Sequence, residues 1–232
     1  NTNNALLNLV TAGEKLDLII TSFVGFRNSV KPLGLLADMS DLVSKYQFDL
    51  SRMDDAYHNM MRNLDDGNLS GLPLYDLSLV LYYNQDIFDK FAVDYPEDGM
   101  TWEELYETAK NLTREDEGTQ YRGFVTAPGN LVTVNQYSLG FLDSKGEKSA
   151  LNTDAWKNYI ETFLPLYSMP GYEPTVAIIG GSGAVKDAFF KEKTAAMFVM
   201  FNSDAPKPED GISWDAVSLP EFEDLPGVGS QP

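Results

Sequence analysis

The chain has 232 residues, enough for one large domain or two small ones, and 43% of them are apolar, an ordinary fraction for a globular protein. Its formal charge of −18, from 17 basic and 35 acidic side chains, would repel both a nucleic acid and an anionic membrane surface. The absence of cysteine excludes disulfides and cysteine-based zinc sites, and no apolar run approaches the roughly 20 residues that cross a bilayer. We therefore expect no nucleic-acid partner and no membrane-spanning segment.

The first 68 residues combine helical periodicity with one short apolar run. The run over 16–20 predicts a buried strand, whose end at Thr21, Ser22 and Phe23 would open onto the edge of a sheet, where open α/β folds place their ligands. The other patterns predict, in order, a helix over 3–12 that ends at Gly13, a short helix from Gly25, a helix capped by Ser40 that runs to 46, an amphipathic helix over 53–64 and a turn over 65–68.

The stretch 72–84 is apolar for longer than any other non-helical run. Between Leu77 and Tyr83 nearly every side chain is aliphatic or aromatic, which is typical of a strand covered on both faces in a mostly parallel sheet. Asp76 and Ser78 interrupt the apolar pattern at its start. We interpret the stretch as a strand that crosses from one core to another, and hence as a hinge.

Beyond residue 84, helices alternate with short apolar strands. Thr101 and Glu104 have the spacing of a capping box, which predicts a helix that starts at Thr101. The other patterns predict a helix over 85–91, a strand over 121–126, a Pro-Gly-Asn turn before a helix over 131–139, a turn over 143–147, a helix over 154–164, a helix entered through the glycine-rich loop 180–183, and strands over 195–201 and 214–219. This alternation predicts an α/β fold with parallel strand pairing.

Several of these stretches, in this order, resemble a known family. The residues concerned are Thr-Ala-Gly at 11–13 before the apolar run 16–20, Leu-Gly-Leu-Leu-Ala-Asp-Met at 33–39, Gly-Leu-Pro at 71–73 running into 81–88, Thr-Trp-Glu-Glu-Leu at 101–105, and Ala-Phe-Phe at 188–190 before 194–197. Their joint pattern resembles the bacterial extracellular solute-binding proteins of carbohydrate ABC importers, family 1, the group that includes the maltose-binding proteins.

The resemblance implies a type II periplasmic-binding-protein-like fold, in which two α/β lobes are joined by crossing strands and capture a ligand in their cleft by hinge closure. It divides the chain into a partial first lobe over 1–75, a first crossing over 76–79, a second lobe over 80–217, and a return crossing with the start of a first-lobe segment over 218–232. Family members normally have further first-lobe elements on both sides. We therefore expect a fragment that lacks both chain ends, with an incomplete first lobe and exposed strand edges that could drive association.

Sugar sites in this family combine aromatic faces with carboxylate and amide groups, because a sugar presents apolar C–H patches and many hydroxyls. The resemblance places four stretches at the cleft: the loop after the first strand, the crossing, the turn over 126–136 and the loop after the strand over 195–200. From these we predict the ligand-binding residues Ser22, Phe23, Tyr75, Asp76, Asn130, Gln136, Phe201, Asn202 and Ser203. Core packing is the alternative for Phe23 and Phe201, and a turn role is the alternative for Asn130.

Other chemistry-bearing residues have simpler interpretations. Trp102 and Trp156 lie at helical spacing with apolar partners and are predicted core residues, whereas Trp214 fits either the core or a sugar platform. His58, the only histidine, is predicted to be solvated or near a helix cap, and we expect no metal and no cofactor. The oxygen-rich turns over 65–68 and 143–147 lack the spacing of a 12-residue calcium loop, and the loop 180–183 lacks the ending of a phosphate-binding loop.

These interpretations favour a non-catalytic, extracellular or periplasmic component of an ABC importer that binds a mono- or oligosaccharide and delivers it to transmembrane permease subunits. The resemblance also implies a cell-surface lipoprotein whose lipid anchor lies outside this chain. Two alternatives stay open. One is a carbohydrate-active enzyme such as a glycoside hydrolase, although no carboxylate pair stands out for that role. The other is a truncated scaffold that makes protein contacts and binds no ligand.

Overall fold

The computed structural model describes residues 2–169, 171–172 and 183–230. It divides the chain into two compact units, Asn1–Asp76 and Leu77–Pro232. We call these the first and second units and describe each by itself.

The first unit is built from short helices around a small core. The buried residues Met61, Leu64 and Leu69 form this core, and half-buried side chains such as Phe23 and Phe26 pack against it. No strand occurs among the described residues of this unit. Its helical segments are Thr2–Thr11, Phe23–Gly25, Phe26–Val30, Lys31–Leu33, Ser40–Lys45, Leu50–Arg52 and Asp55–Leu64.

Two secondary-structure predictions for the first unit are wrong. The predicted strand over 16–20 has no hydrogen-bonded neighbour among the described residues, and Leu18 and Ile20 are 78% and 65% exposed rather than buried. An apolar run of this length forms a strand only where another strand satisfies its backbone groups. Ser40 is the first residue of its helix rather than its cap, because the side chain of Asp38 accepts the hydrogen bonds from the Ser40 backbone N–H and hydroxyl.

The second unit contains a five-stranded mixed sheet with the strand order β2-β3-β4-β1-β5. Its central strands β1 and β4 are buried along nearly their whole length. The strands are β1 (Leu79–Asn84), β2 (Arg114–Asp116), β3 (Thr119–Thr126), β4 (Ala195–Phe201) and β5 (Trp214–Val217).

Most strand pairs of this sheet are antiparallel. Among the described strands, β3 and β4 pair in parallel, whereas β4 with β1, β1 with β5, and β2 with β3 run antiparallel. The α/β class is therefore confirmed, but the predicted parallel pairing is wrong for most of the sheet. A strand buried on both faces reads as a continuous apolar run whichever way its neighbours run, so the sequence pattern does not determine direction.

Hydrophobic clusters cover both faces of the sheet. Side chains alternate along β4, so that Met197 and Val199 join the larger cluster while Phe198 and Met200 join the smaller one. The larger cluster includes Trp102 and Trp156, and the smaller cluster includes Val185 and Phe189. The helical segments that supply these residues and connect the strands are Gln85–Phe91, Trp102–Leu112, Pro128–Thr133, Asp154–Glu161, Leu164–Tyr167, Gly183–Lys186 and Asp187–Lys191.

Several element predictions for the second unit are confirmed and others need correction. The capping box is present, because Thr101 accepts the Glu104 N–H and Glu104 accepts the Thr101 N–H. The helix predicted over 131–139 is instead Pro128–Thr133, since proline favours the first turn of a helix and the Pro-Gly-Asn segment lies inside it. Strand β2 is charged and was not predicted. Most of the predicted glycine-rich loop, residues 180–182, lies outside the described residues.

The segment 218–230 packs with the second unit. Leu219 and Phe222 are buried in its larger cluster, and the Oγ of Ser230 accepts a hydrogen bond from the Leu79 N–H at 2.8 Å. The resemblance assigned this segment to a return crossing and to the first lobe. The division into lobes at residues 75, 79 and 217 is still a prediction.

Candidate ligand-binding site

The strand directions bring three chain segments to one edge of the second unit's sheet. Because β3 and β4 are parallel, their last residues, Thr126 and Phe201, lie at the same edge. Because β1 is antiparallel to β4, its first residue, Leu79, lies opposite Phe201. The turns that follow β3 and β4 therefore meet the segment that enters β1.

Polar side chains gather at this edge, which we call the polar edge. The backbone N–H of Asn202 donates to the carbonyl oxygen of Ser78 at 2.8 Å, which joins the turn after β4 to the entry of β1. The side-chain amide of Asn130, after β3, lies 3.3 Å from the sulfur of Met200 near the end of β4. We define the polar edge by the residues Ser78, Asn130, Asn202, Ser203, Asp204 and Ser230.

Four of the predicted ligand-binding residues lie at or beside the polar edge. Asn202 and Ser203 are exposed, and Asn130 is half-buried. Phe201 is half-buried and packs against both hydrophobic clusters. Part of its ring therefore has the core-packing role that was the alternative to ligand binding. Their assembly in one place follows from the strand order, which brings the ends of β3 and β4 together.

Gln136 differs from these four, because it is buried and its amide is already bonded. Its Nε2 donates to the carbonyl oxygens of Pro220 and Val228, at 3.0 and 2.7 Å, and its Oε1 accepts from the indole N–H of Trp102 at 3.1 Å. A buried amide with all these partners has little capacity left for a ligand. Its position favours a structural role, in which it ties the segment 218–230 to the core.

The other four predicted residues lie in the first unit. Ser22 is exposed and caps a short helix by accepting the Gly25 N–H at 3.2 Å, while Tyr75 is 71% exposed. The carboxylate of Asp76 accepts a hydrogen bond from Tyr57, whose pKa is raised by burial and, to a smaller extent, by this carboxylate.

Phe23, the last of these, packs on the core of the first unit and also lines an open groove. The groove has a volume of about 410 Å³ and is bordered by Arg27, Asn59, Asn63 and Leu64. Its size is within the range of small-molecule sites, roughly 300–1,000 Å³. A cavity of the second unit, beside Phe124 and Tyr172, is far smaller at about 30 Å³ and could hold no sugar.

A lysine–carboxylate pair lies next to the exposed residues of the polar edge. Lys186 Nζ is 2.6 Å from Asp204 Oδ1, and both side chains are partly buried.

The hydroxyl of Tyr82 donates to the carbonyl oxygen of Phe201 at 3.2 Å. Burial, with a further contribution from the negative charge of Asp204, raises the pKa of Tyr82 to about 12, so this phenol stays a neutral donor at physiological pH.

Sequence reasoning missed three members of the polar edge. Asp204 directly follows two predicted residues in the loop after β4, which the resemblance placed at the cleft, so the same criterion could have found it. Ser230 lies 151 residues from its partner Leu79, and no local pattern signals such a contact. Ser78 contributes its backbone carbonyl oxygen, and because every residue has this group, the residue type gives no signal for the contact.

The tryptophans and the single histidine, which could in principle bind a sugar or a metal, pack against other side chains of the protein. Trp102 and Trp156 are 3% and 1% exposed, as expected for core residues, and the Trp214 ring packs edge-on against Tyr82. His58 is 7% exposed and therefore not solvated, but it lies on the side of its helix near the cap Asp54, with its Nδ1 3.7 Å from Asp55 Oδ1. Among the described residues, no cluster of His, Cys, Asp and Glu has the arrangement of a metal site, and no helix is both long and apolar enough to span a bilayer.

Residues 2–232 match the family model for the bacterial extracellular solute-binding proteins. This chain belongs to that family. The match spans nearly the whole chain, so the resemblance identified from the sequence is confirmed.

Solved structures show the same fold. An ABC substrate-binding protein from Listeria monocytogenes in complex with cycloalternan has a TM-score of 0.69 and 20% identity, over 98% of this chain and 60% of that chain. An open sugar transporter from Rhizobium etli has a TM-score of 0.69 and 25% identity, over 99% and 59%. Maltose-bound MalE3 from T. maritima has a TM-score of 0.67 and 18% identity, over 99% and 59%.

These likenesses confirm the type II periplasmic-binding-protein-like α/β fold. The chain spans about 60% of the length of these structures.

Proposed function

We propose that this chain is the non-catalytic solute-binding component of an ABC importer and that it binds a carbohydrate. The observation that carries the proposal is the family match over residues 2–232. Solved structures of the same fold hold cycloalternan, D-mannitol and maltose, which all present many hydroxyl groups. A polyhydroxylated solute is therefore the class of ligand that we assign to this chain.

The chemistry of the polar edge supports this assignment. The side-chain amides of Asn130 and Asn202 each offer both donors and an acceptor, and the hydroxyl of Ser203 offers both in one atom. Such groups can replace the hydrogen bonds that sugar hydroxyls lose when they leave water. The half-buried ring of Phe201 adds an apolar surface for the C–H face of a sugar.

The proposal extends to the partners and the location of the protein. The chain delivers its solute to the transmembrane subunits of an ABC permease, outside the cell or in the periplasm, and a lipid anchor outside this chain holds it at the cell surface. The first-unit candidates Ser22, Phe23, Tyr75 and Asp76 complete the predicted set of ligand contacts. Hinge movement at 76–79 accompanies capture of the solute.

Isothermal titration with maltose, maltotriose, D-mannitol, ribitol and D-tagatose tests the proposal. We expect saturable binding of at least one of these compounds. We also expect Asn202→Ala to weaken that binding about tenfold, since a lost hydrogen bond in a desolvated site costs on the order of 1–2 kcal/mol. Asn158→Ala is the matched control, because Asn158 is an exposed asparagine on the helix Asp154–Glu161. Absence of binding to the whole panel would contradict the proposal.

Chromatography of the titrated samples tests the non-catalytic part. A glycoside hydrolase requires two carboxylates on opposite sides of the scissile bond. Asp204 is the one carboxylate among the residues that define the polar edge, and it is paired with Lys186. We expect every sugar to be recovered unchanged, and turnover of any of them would reject the binding-only function.

A further inference from the structure

Three contacts hold the end of β4 and the turn Asn202–Asp204 that follows it. The hydroxyl of Tyr82, on β1, bonds the carbonyl of Phe201 at the end of β4. The Asn202 N–H bonds the carbonyl of Ser78. The third contact is the ion pair between Lys186 and Asp204. Of the three, this pair is the one formed between two side chains, so it can be removed without a change to β1 or β4.

This ion pair is less exposed than the other lysine–carboxylate pairs of the described residues. Its atoms are 2.6 Å apart, and the side chains of Lys186 and Asp204 are 32% and 26% exposed. The neighbouring pair of Lys191 with Asp187 joins residues four apart on one helical segment, at 2.8 Å and with 74% and 48% exposure. Partial removal from water strengthens the attraction between charges, whereas exposed pairs contribute almost nothing.

Lys186 is anchored on a well-packed segment. It follows Val185, which is 2% exposed, and it precedes Ala188 and Phe189, which are 3% and 0% exposed in the smaller hydrophobic cluster. The Phe189 ring stacks on Phe198 of β4, with the ring centroids 5.1 Å apart. The lysine therefore connects a fixed segment, 18 residues away in sequence, to an exposed turn.

We propose that Lys186 is a positioning residue, which orders the turn Asn202–Asp204 through Asp204 and so presents Asn202 and Ser203 to the carbohydrate. This inference rests on the proposed function. An exposed turn loses conformational freedom when a ligand binds to it, and an ordered turn has less freedom to lose. The ion pair thus raises carbohydrate affinity although neither charge contacts the sugar.

Amide hydrogen exchange and titration with the same five compounds, maltose, maltotriose, D-mannitol, ribitol and D-tagatose, test the inference together. In the ligand-free protein, we expect Lys186→Met to accelerate exchange of the Asn202 amide about tenfold, because the turn opens more often without its side-chain anchor. We expect the same substitution to weaken carbohydrate binding about fivefold to tenfold. Lys186→Arg keeps the charge and should restore both quantities to near their wild-type values.

Lys191→Met is the matched control, because it removes the same charge from the next helical segment, Asp187–Lys191, and its partner Asp187 lies outside the turn. It should change neither exchange of Asn202 nor carbohydrate affinity. Unchanged exchange in Lys186→Met overturns the inference, and so does faster exchange with unchanged affinity. If the wild-type chain binds none of the five compounds, the proposed function fails, and the exchange measurement still decides whether the ion pair orders the turn.

Discussion

The two units of this chain differ mainly in how much apolar surface each buries. The second unit has a sheet covered on both faces, with side chains such as Leu81 and Phe198 fully buried. The first unit has a core of Met61, Leu64 and Leu69 and leaves many large apolar side chains exposed. Since burial of apolar surface is the main favourable term in folding, the second unit should be the more stable one.

The tryptophans allow the second unit to be followed alone. Trp102, Trp156 and Trp214 all lie in it, and the sequence contains no others. Unfolding in urea monitored by tryptophan fluorescence therefore reports the second unit. Hydrogen exchange of the amides in the helix Asp55–Leu64 reports the first unit.

The largest expected effect is that of Phe198→Ala. Phe198 is fully buried on β4 and its ring stacks on Phe189 and Tyr82. Removal of the ring leaves a cavity, and we expect the free energy of unfolding of the second unit to fall by about 3–5 kcal/mol. Leu18→Ala is the control in the first unit: the side chain is 78% exposed, and the tryptophan transition should move by less than about 0.5 kcal/mol. A loss below about 1 kcal/mol for Phe198→Ala would show that the buried sheet does not dominate stability.

A smaller effect is expected where glycine allows close packing. A Cβ on Gly123 of β3 would lie 2.0 Å from the backbone oxygen of Ala109, so the strand and the helix would have to separate. We expect Gly123→Ala to lower the free energy of unfolding by about 1–3 kcal/mol, measured by tryptophan fluorescence in urea. Gly129→Ala is the control in the same unit, because its Cβ would meet no atom within 4 Å and alanine favours its helix, so it should be neutral or stabilising.

The first unit offers a contrast at Gly71. There a Cβ would meet the end of the Met61 side chain at 2.8 Å and the Phe26 ring at 3.2 Å, both of which are side-chain rather than backbone atoms. A flexible methionine end can move, so Gly71→Ala should change exchange in the helix Asp55–Leu64 only slightly. An effect as large as that of Gly123→Ala would mean that the small core is packed as rigidly as the large one.

Local signals in the sequence predicted much of this fold. The helix Gln85–Phe91, the capping box at Thr101 and the strand Ala195–Phe201 were predicted to the residue. Each depends on neighbours within a few positions, such as a cap or an unbroken apolar run. Strand direction depends on distant residues, so the sequence pattern did not determine it. Strand β2 pairs with β3 across the short turn at Glu117 and Gly118, and it was missed because its side chains are charged rather than apolar.

The candidate site shows the same limit. The resemblance placed the loop after the strand over 195–200 at the cleft and so selected Phe201 and Asn202, and the structure puts the ends of β3 and β4 at one edge of the sheet. The resemblance also placed the turn over 126–136 at the cleft and so selected Gln136, whose amide is instead buried among three partners far away in sequence. A polar residue near a strand end can therefore either bind a ligand or form hydrogen bonds within the core. Contacts with residues distant in sequence distinguish these two roles.

Two helix caps of similar chemistry, one in each unit, are expected to contribute less than the buried positions Phe198 and Gly123. Thr101 Oγ1 accepts the Glu104 N–H at 3.1 Å in the second unit, and Asp54 Oδ1 accepts the Ala56 N–H at 2.8 Å in the first. Replacement of either residue by alanine should cost about 1 kcal/mol. We expect Thr101→Ala to lower the urea midpoint of tryptophan fluorescence, whereas Asp54→Ala should leave that midpoint unchanged and accelerate exchange in the helix Asp55–Leu64. If Asp54→Ala moves the tryptophan midpoint as far as Thr101→Ala does, the two units unfold together in one cooperative transition. The difference between their buried cores would then not give the two units separate stabilities.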